Sequence, residues 1–229
     1  LKTMAVINDP INSTSVARVG NVSAKGIHTV NKPTDHGAYG HYTYGGFTGI
    51  LPAALGANSE IFQFRWADAS RLAVIRKIRI TTSVSTTFFA AGVPQMIDLV
   101  KSTSWTVAGT GGTGLTIGTM LKRRNSGMGS SLVGTGDIRI ATTAALGAGT
   151  KTLETLALST LVAACPITAS LNGTMIPPGT ILWQAEIADG EHPLVLAQNE
   201  GFSIRSVAIP ATGTWTASIT VDWAETDAY

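Results

Sequence analysis

The most constraining feature of this chain is a run near its C-terminus that sets two tryptophans on one side of a strand. Trp215, Ala217, Ile219, Val221 and Trp223 alternate with Thr216, Ser218, Thr220 and Asp222. Successive side chains of an extended backbone point to opposite faces. The run therefore carries one apolar face and one hydroxyl-rich face. Upstream, Gly201 to Ile209 is rich in β-branched residues and stops at Pro210, and Gly213 supplies a turn. Together, Glu200 to Glu225 reads as two strands joined by a tight turn, a hairpin. Two indoles cannot be buried by a hairpin alone, so the pattern demands a second layer.

Other segments repeat the signal. In Ile61 to Trp66 the rings of Phe62, Phe64 and Trp66 share a face, with Gln63 and Arg65 opposite. Leu72 to Ser83 reads as a long strand whose apolar face of Leu72, Val74, Ile78 and Ile80 is interrupted by Arg76. Thr180 to Ile187 places Ile181, Trp183, Ala185 and Ile187 together. Gln95 to Lys101, Ser104 to Ala108 and Asp137 to Thr142 read as further strands. Phe88-Phe89 reads as an aromatic plug in a loop. Leu51 to Ala57 reads as a short helical turn. Leu153 to Ala164 fits either a helix with an apolar stripe or a pair of strands. Ten to twelve short strands between Gly, Pro and Asn turns point to an all-β antiparallel sandwich or jelly roll. The expected organisation is an extended N-terminal arm over residues 1–57 and one sandwich domain over residues 58–229. Phe62, Phe64, Trp66, Trp183, Trp215 and Trp223 are its expected core anchors.

Charge narrows the function. Charged residues are 13% of the chain, about half the usual share of a soluble domain. Such a surface suits a protein that covers itself with partners. The net charge of +2 and the single short cluster Lys122-Arg123-Arg124 argue against nucleic acid as a partner. No membrane span and no signal peptide is visible, and Met4 reads as a natural start. Cys165 is the one cysteine. It lies in an apolar run and reads as a small buried hydrophobe.

No catalytic, cofactor-binding or metal-binding residue is assigned. Gly109 to Gly114 lacks the Lys-Ser/Thr ending of a phosphate loop, and a strand-like run follows it. His36, His41 and Asp35 form too small a set for zinc. No serine or cysteine stands in a nucleophile elbow. The expectation is a protein that is not an enzyme and uses no cofactor.

The segment from Asp35 to Phe47 sets histidines and aromatic rings among glycines, which cannot be a regular core strand and suits a loop that adapts to a partner. Tyr39, His41, Tyr42, Tyr44 and Phe47 are its candidate oligomer contacts. Gly109–Gly114 and Ser126–Ser131 are secondary candidates. The alternative is an arm lying over the protein's own core.

The series Ile176-Pro177-Pro178-Gly179-Thr180, Gln198 to Phe202, Ala211 to Trp215 and Val221 to Glu225 resembles the C-terminal half of β-rich structural proteins of tailed bacteriophages. Glu60 to Leu72 adds to the likeness. The resemblance implies a virion component made in the host cytoplasm, a head decoration or minor capsid protein. It would form a symmetric homo-oligomer, trimer or higher, and contact other virion proteins. A tail or fibre module that binds a receptor glycan is the first alternative, and the coat of a simple virus is the second.

Overall fold

The computed structural model describes residues 40–116, 121–123, 129–167, 173–185, 191–207, 209 and 212–227. Among them every regular element is a strand. In chain order these are β1 (Gly40–Phe47), β2 (Leu51–Pro52), β3 (Ser59–Trp66), β4 (Leu72–Val84), β5 (Pro94–Val107), β6 (Thr113–Gly114) and β7 (Leu121–Arg123). There follow β8 (Ile138–Ile140), β9 (Thr150–Leu153), β10 (Ser159–Ala164), β11 (Thr174–Gln184), β12 (Leu194–Leu196), β13 (Glu200–Ser206) and β14 (Thr214–Thr226).

Two antiparallel sheets result. One has the order β11-β4-β14-β1-β7, with β12 against β4 and β2 against β14. The other has the order β10-β5-β13-β3-β8-β6, with β9 against β5. Eight strands carry the plan. β1 pairs with β14, β3 with β13, β4 with β11 and β5 with β10. First pairs with last and the order closes inward, so the chain is a long ribbon of paired strands rolled into two sheets. This is the jelly-roll arrangement.

The expected terminal hairpin does not form. β13 lies in one sheet between β5 and β3, and β14 lies in the other between β4 and β1. The reason is the one that demanded a second layer. Trp215 and Trp223 are buried to within 1%, and the residues that cover them must come from the facing sheet. Phe64 of β3 meets the Trp223 ring edge-on at 5.3 Å and 77°. Phe202 of β13 stacks on Phe64 at 5.2 Å and 9°. Aromatic pairs in these geometries add about 0.5–1.5 kcal/mol beyond their burial. The Phe89 plug is also realised. Its ring closes the end of the core and sits where a side chain at Gly213 would be, 2.8 Å from a Cβ placed there.

β4 explains the interruption at Arg76. Lys77 pairs with Asp222, but Ile75 pairs with Trp223, so β4 has one residue more than β14 at that point. The extra residue makes a β-bulge, and the inward parity changes across it. Ala73 and Ile75 point inward before the bulge, and Ile78, Ile80 and Thr82 after it. Similar slips break the face expected in β11. Register shifts between Ile176 and Thr180 and again between Ile181 and Trp183. Leu182 is therefore the buried residue, while Ile181 is 44% exposed. Trp183 is only half-buried and packs against the margin of the core, so it is not the anchor expected of it. The other five anchors, Phe62, Phe64, Trp66, Trp215 and Trp223, are buried to within 1%.

Three local expectations are corrected. Gln95 to Lys101 and Ser104 to Ala108 are one strand, β5, bent at Ser104, where φ is +51°. Leu153 to Ala164 is the strand alternative, ending β9 and forming β10, rather than a helix. Leu51 to Ala57 begins with β2 against Trp215 and continues as a turn.

Truncating Trp223 to Ala should cost about 3–5 kcal/mol, read as a lower urea midpoint. Phe64→Ala should cost a similar amount. The double variant should lose less than the sum, because the two rings share one contact.

Candidate functional site

The glycine-aromatic segment is a strand after all from Gly40 to Phe47, paired along its whole length with β14. The sandwich thus takes in residues assigned above to the arm. Residues 1–39, including Tyr39 and His36, lie outside the described residues, as do Ser126 to Met128 of the second loop candidate. At Gly46 the strand is filled out by Tyr44, which takes the space the glycine leaves. A Cβ at Gly46 would strike the Tyr44 ring, with the hydroxyl at 2.1 Å.

Tyr42 and Tyr44 are consequently committed to this chain's own core. Each is 1% exposed. Tyr42 stacks on Trp223 at 5.8 Å, and its hydroxyl donates to the Gly129 carbonyl at 3.0 Å. Tyr44 packs on Phe62 at 5.5 Å, and burial pushes its hydroxyl up to about 12. Neither ring is presented to a partner. Phe47, in contrast, is 78% exposed. Gly109 of the first loop candidate lies against Gln63 and the Gly147 carbonyl, so that loop is packed onto the outer side of its sheet.

His41 leads to a cavity of about 410 Å³ on the outer side of the first sheet, whose lining residues come from β1, β4, β11 and β14 and from Ala185, just after β11. Tyr42 and Trp223, whose rings point into the core, border it, and Gln184 stands on the β11 side. Its charged lining is Arg76, Lys77, Arg79 and Asp222. Asp222 accepts from Thr43 Oγ1 at 2.6 Å through one oxygen and from Arg79 Nη2 at 3.0 Å through the other. The bulge is the local cause. In a regular strand Arg76 and Lys77 would face opposite ways, whereas the extra residue turns both toward the cavity. The volume falls in the range of small-ligand sites, about 300–1,000 Å³.

A second polar cluster lies on the outer side of the other sheet and is closed. Glu60 Oε2 accepts from Lys151 Nζ, from Ser203 Oγ at 2.6 Å and from Gln63 Nε2 at 2.7 Å. Lys151 also donates to Ser203 Oγ at 3.1 Å and lies 3.9 Å from the centre of the Trp105 ring. Burial holds the Lys151 amine below its ordinary value, although Glu60 pulls it back up. Serine, lysine and glutamate are residues of hydrolytic sites, but Ser203 is fully buried here and its hydroxyl is engaged by Glu60. What the cluster does is clamp β9 onto β3 and β13.

A third group ties the 129–133 loop to β14. Glu225 is fully buried and accepts from Ser131 Oγ at 2.5 Å, from the Leu132 amide at 3.2 Å and from the Trp223 indole at 3.2 Å. Burial raises its carboxyl above the ordinary 4.5, and these hydrogen bonds oppose the rise. Asp137 is raised by burial as well, against the pull of Arg65. Cys165 is buried, and burial pushes its thiol up to about 11. A thiol held there is a poor nucleophile at neutral pH. Among the described residues no three His, Cys, Asp or Glu side chains are grouped to hold a metal ion.

Sequence reasoning missed both Arg76-Lys77-Arg79 as a group and the Lys151 clamp. The first carried a signal, three cations within four positions of one strand, the first of them breaking an apolar face. The second carried none, because Glu60 and Lys151 are 91 residues apart. No protein-family model, curated protein or solved structure matches the chain.

Two outcomes follow from the closed clusters. Lys151→Met alone should destabilise the fold by about 3–5 kcal/mol by leaving a buried carboxylate unpaired, and adding Glu60→Leu should recover most of that loss; urea unfolding of the single and double variants reads both. For Glu225, the folded chain keeps a proton that the unfolded chain releases at its ordinary value. Stability should therefore fall as pH rises from 4.5 through the raised folded value. Glu225→Gln should flatten that part of a pH series of urea midpoints.

Proposed function

We propose that this chain is a non-enzymatic structural protein of a virus particle, a jelly-roll subunit that works by assembling with copies of itself. The observation that carries this reading is the strand pairing, first with last through four nested pairs. Viral capsid domains are a principal use of that arrangement. The depleted charge supports it, since 13% charged residues suit a surface that is covered in the working state.

The surface offers a place for such contacts. Among the described strands β10 is the outer edge of its sheet. Its Val162 is 60% exposed and stands directly opposite Met96, and Leu156 and Leu158 precede it at 79% and 43% exposure. An exposed apolar edge strand is a template for pairing with another chain. The likeness of the C-terminal strands to tailed-phage structural proteins supports a capsid decoration or minor capsid role as the specific form. The same fold serves lectins, and the cavity on the opposite sheet favours a glycan-binding module as the second reading.

The test is the mass of the purified chain by light scattering, with electron microscopy of whatever forms. A discrete trimer or larger closed assembly is the expected result. Val162→Asp combined with Leu156→Asp should break it down while costing the folded chain no more than about 0.5 kcal/mol of stability each, as exposed substitutions do. A chain that stays monomeric and also fails to bind virus particles would sink the proposal.

A further inference from the structure

We infer that the Lys151 clamp is a self-crosslinking site, in which the Lys151 amine attacks the side-chain amide of Gln63 and forms an isopeptide bond between β9 and β3. The hydrogen-bonded clamp described above is its unreacted state. The inference stands apart from assembly, because it concerns the single folded chain. Three observations carry it. First, one carboxylate oxygen holds both reacting groups. Glu60 Oε2 accepts from Lys151 Nζ and, at 2.7 Å, from Gln63 Nε2. The nucleophile and the leaving nitrogen are therefore no farther apart than two hydrogen bonds laid end to end. Proximity of this kind turns a slow bimolecular aminolysis into a step within one molecule. The same carboxylate stands where protons must pass, from the amine and to the leaving nitrogen.

Second, a structural device gathers the three residues. Glu60 and Gln63 are three positions apart and would face opposite sides of a regular strand. Phe62 pairs with Ile204, but Glu60 pairs with Arg205, so β3 has one residue more than β13 at that point. This bulge turns Glu60 and Gln63 to one side, where they meet. Lys151 arrives from β9, which Thr152 and Leu153 hold against β5.

Third, the site is dry and its amide is incompletely satisfied. Lys151, Glu60 and Gln63 are all buried, and the Trp105 ring covers the amine. Burial lowers the amine's hold on its proton, against the pull of Glu60. Exclusion of water also suppresses competing hydrolysis. Gln63 Oε1 is buried with no hydrogen-bond partner among the described groups, and an unsatisfied buried group is a cost that asks for a reason. Gln95, equally buried, has its carbonyl oxygen occupied by Thr82 Oγ1 at 2.9 Å.

The step balances without a co-reactant. Glu60 takes one proton from the ammonium, and the freed amine attacks Gln63 Cδ, forming the Nζ–Cδ bond. A second amine proton passes to Nε2 by way of Glu60 as the Cδ–Nε2 bond breaks, and that nitrogen leaves as ammonia. The proton left on Glu60 departs with it as ammonium. Nothing is oxidised or reduced.

The experiment is intact-mass spectrometry of the full chain, folded, incubated at neutral pH and then denatured, followed by tryptic mapping. The expected chain is lighter by one ammonia. Trypsin should no longer cut after Lys151, and a branched peptide should join the segments that hold Gln63 and Lys151. Chain kept in urea throughout should retain its full mass, which ties the reaction to the fold. Lys151→Arg, which keeps a cation in the clamp, should also retain its full mass. Glu60→Gln should slow the loss at least about a hundredfold, the usual worth of a positioned acid–base group. The inference is overturned if the folded chain keeps its full mass, if the lost ammonia maps to another position, or if Lys151→Arg loses it as readily. A Glu60→Gln chain that crosslinks at the unaltered rate would remove Glu60 from the reaction and overturn the mechanism.

Discussion

The edge-on contact between Phe64 and Trp223 joins the two sheets, and most of the architecture depends on it. A sheet strand can bury a face only against something about 10 Å away. An indole is large enough to reach across that gap, and a phenyl ring from the facing sheet completes the contact. Phe202 then stacks on Phe64 and Tyr42 on Trp223, so the contact extends sideways within each sheet. The need to cover these rings places β13 and β14 in different sheets, although they are neighbours in sequence.

That conflict marks where the sequence was legible. Periodicity showed which residues face inward along β3 and β14, because alternation depends only on the local backbone. Partner choice depends on what covers the face, which is a property of the whole chain. Hence the strands were readable and the hairpin was not. Slips in register were partly legible. Arg76 broke an apolar face in plain view, and its meaning needed β14 alongside to show the extra residue. In β11 the shifts in register on either side of Thr180-Ile181 turned Ile181 outward and Leu182 inward, and no alternation count could have found that. The tyrosines of β1 misled for another reason. Rings among glycines usually signal adaptable contact, but here Tyr44 lies over Gly46 and uses the missing side chain as space.

The candidate site was the least legible part. Its residues come from four strands and meet only once the ribbon has rolled. The sandwich ends up with unlike outer sides. One pairs Arg65, Lys101 and Arg205 with carboxylates and carries the Lys151 clamp under Trp105. The other sets Arg76, Lys77, Arg79 and Asp222 around one cavity. A chain with so few charges does not place three together by dilution. The bulge makes that placement without disturbing the core, because Ile75 and Ile78 both still point inward.

Pairing first with last has a kinetic side. Thr43 and Asp222 touch across 179 residues of sequence. Contacts of such separation pay their loop-closure entropy before they return any stability, which slows folding. On the ribosome, β1 has no partner in β14 until the residues through Thr226 have emerged. The indoles that need cover arrive at the same late moment. A chain that lacks β14 thus cannot close its core, and the sandwich can complete itself only once that last strand of the ribbon has been made.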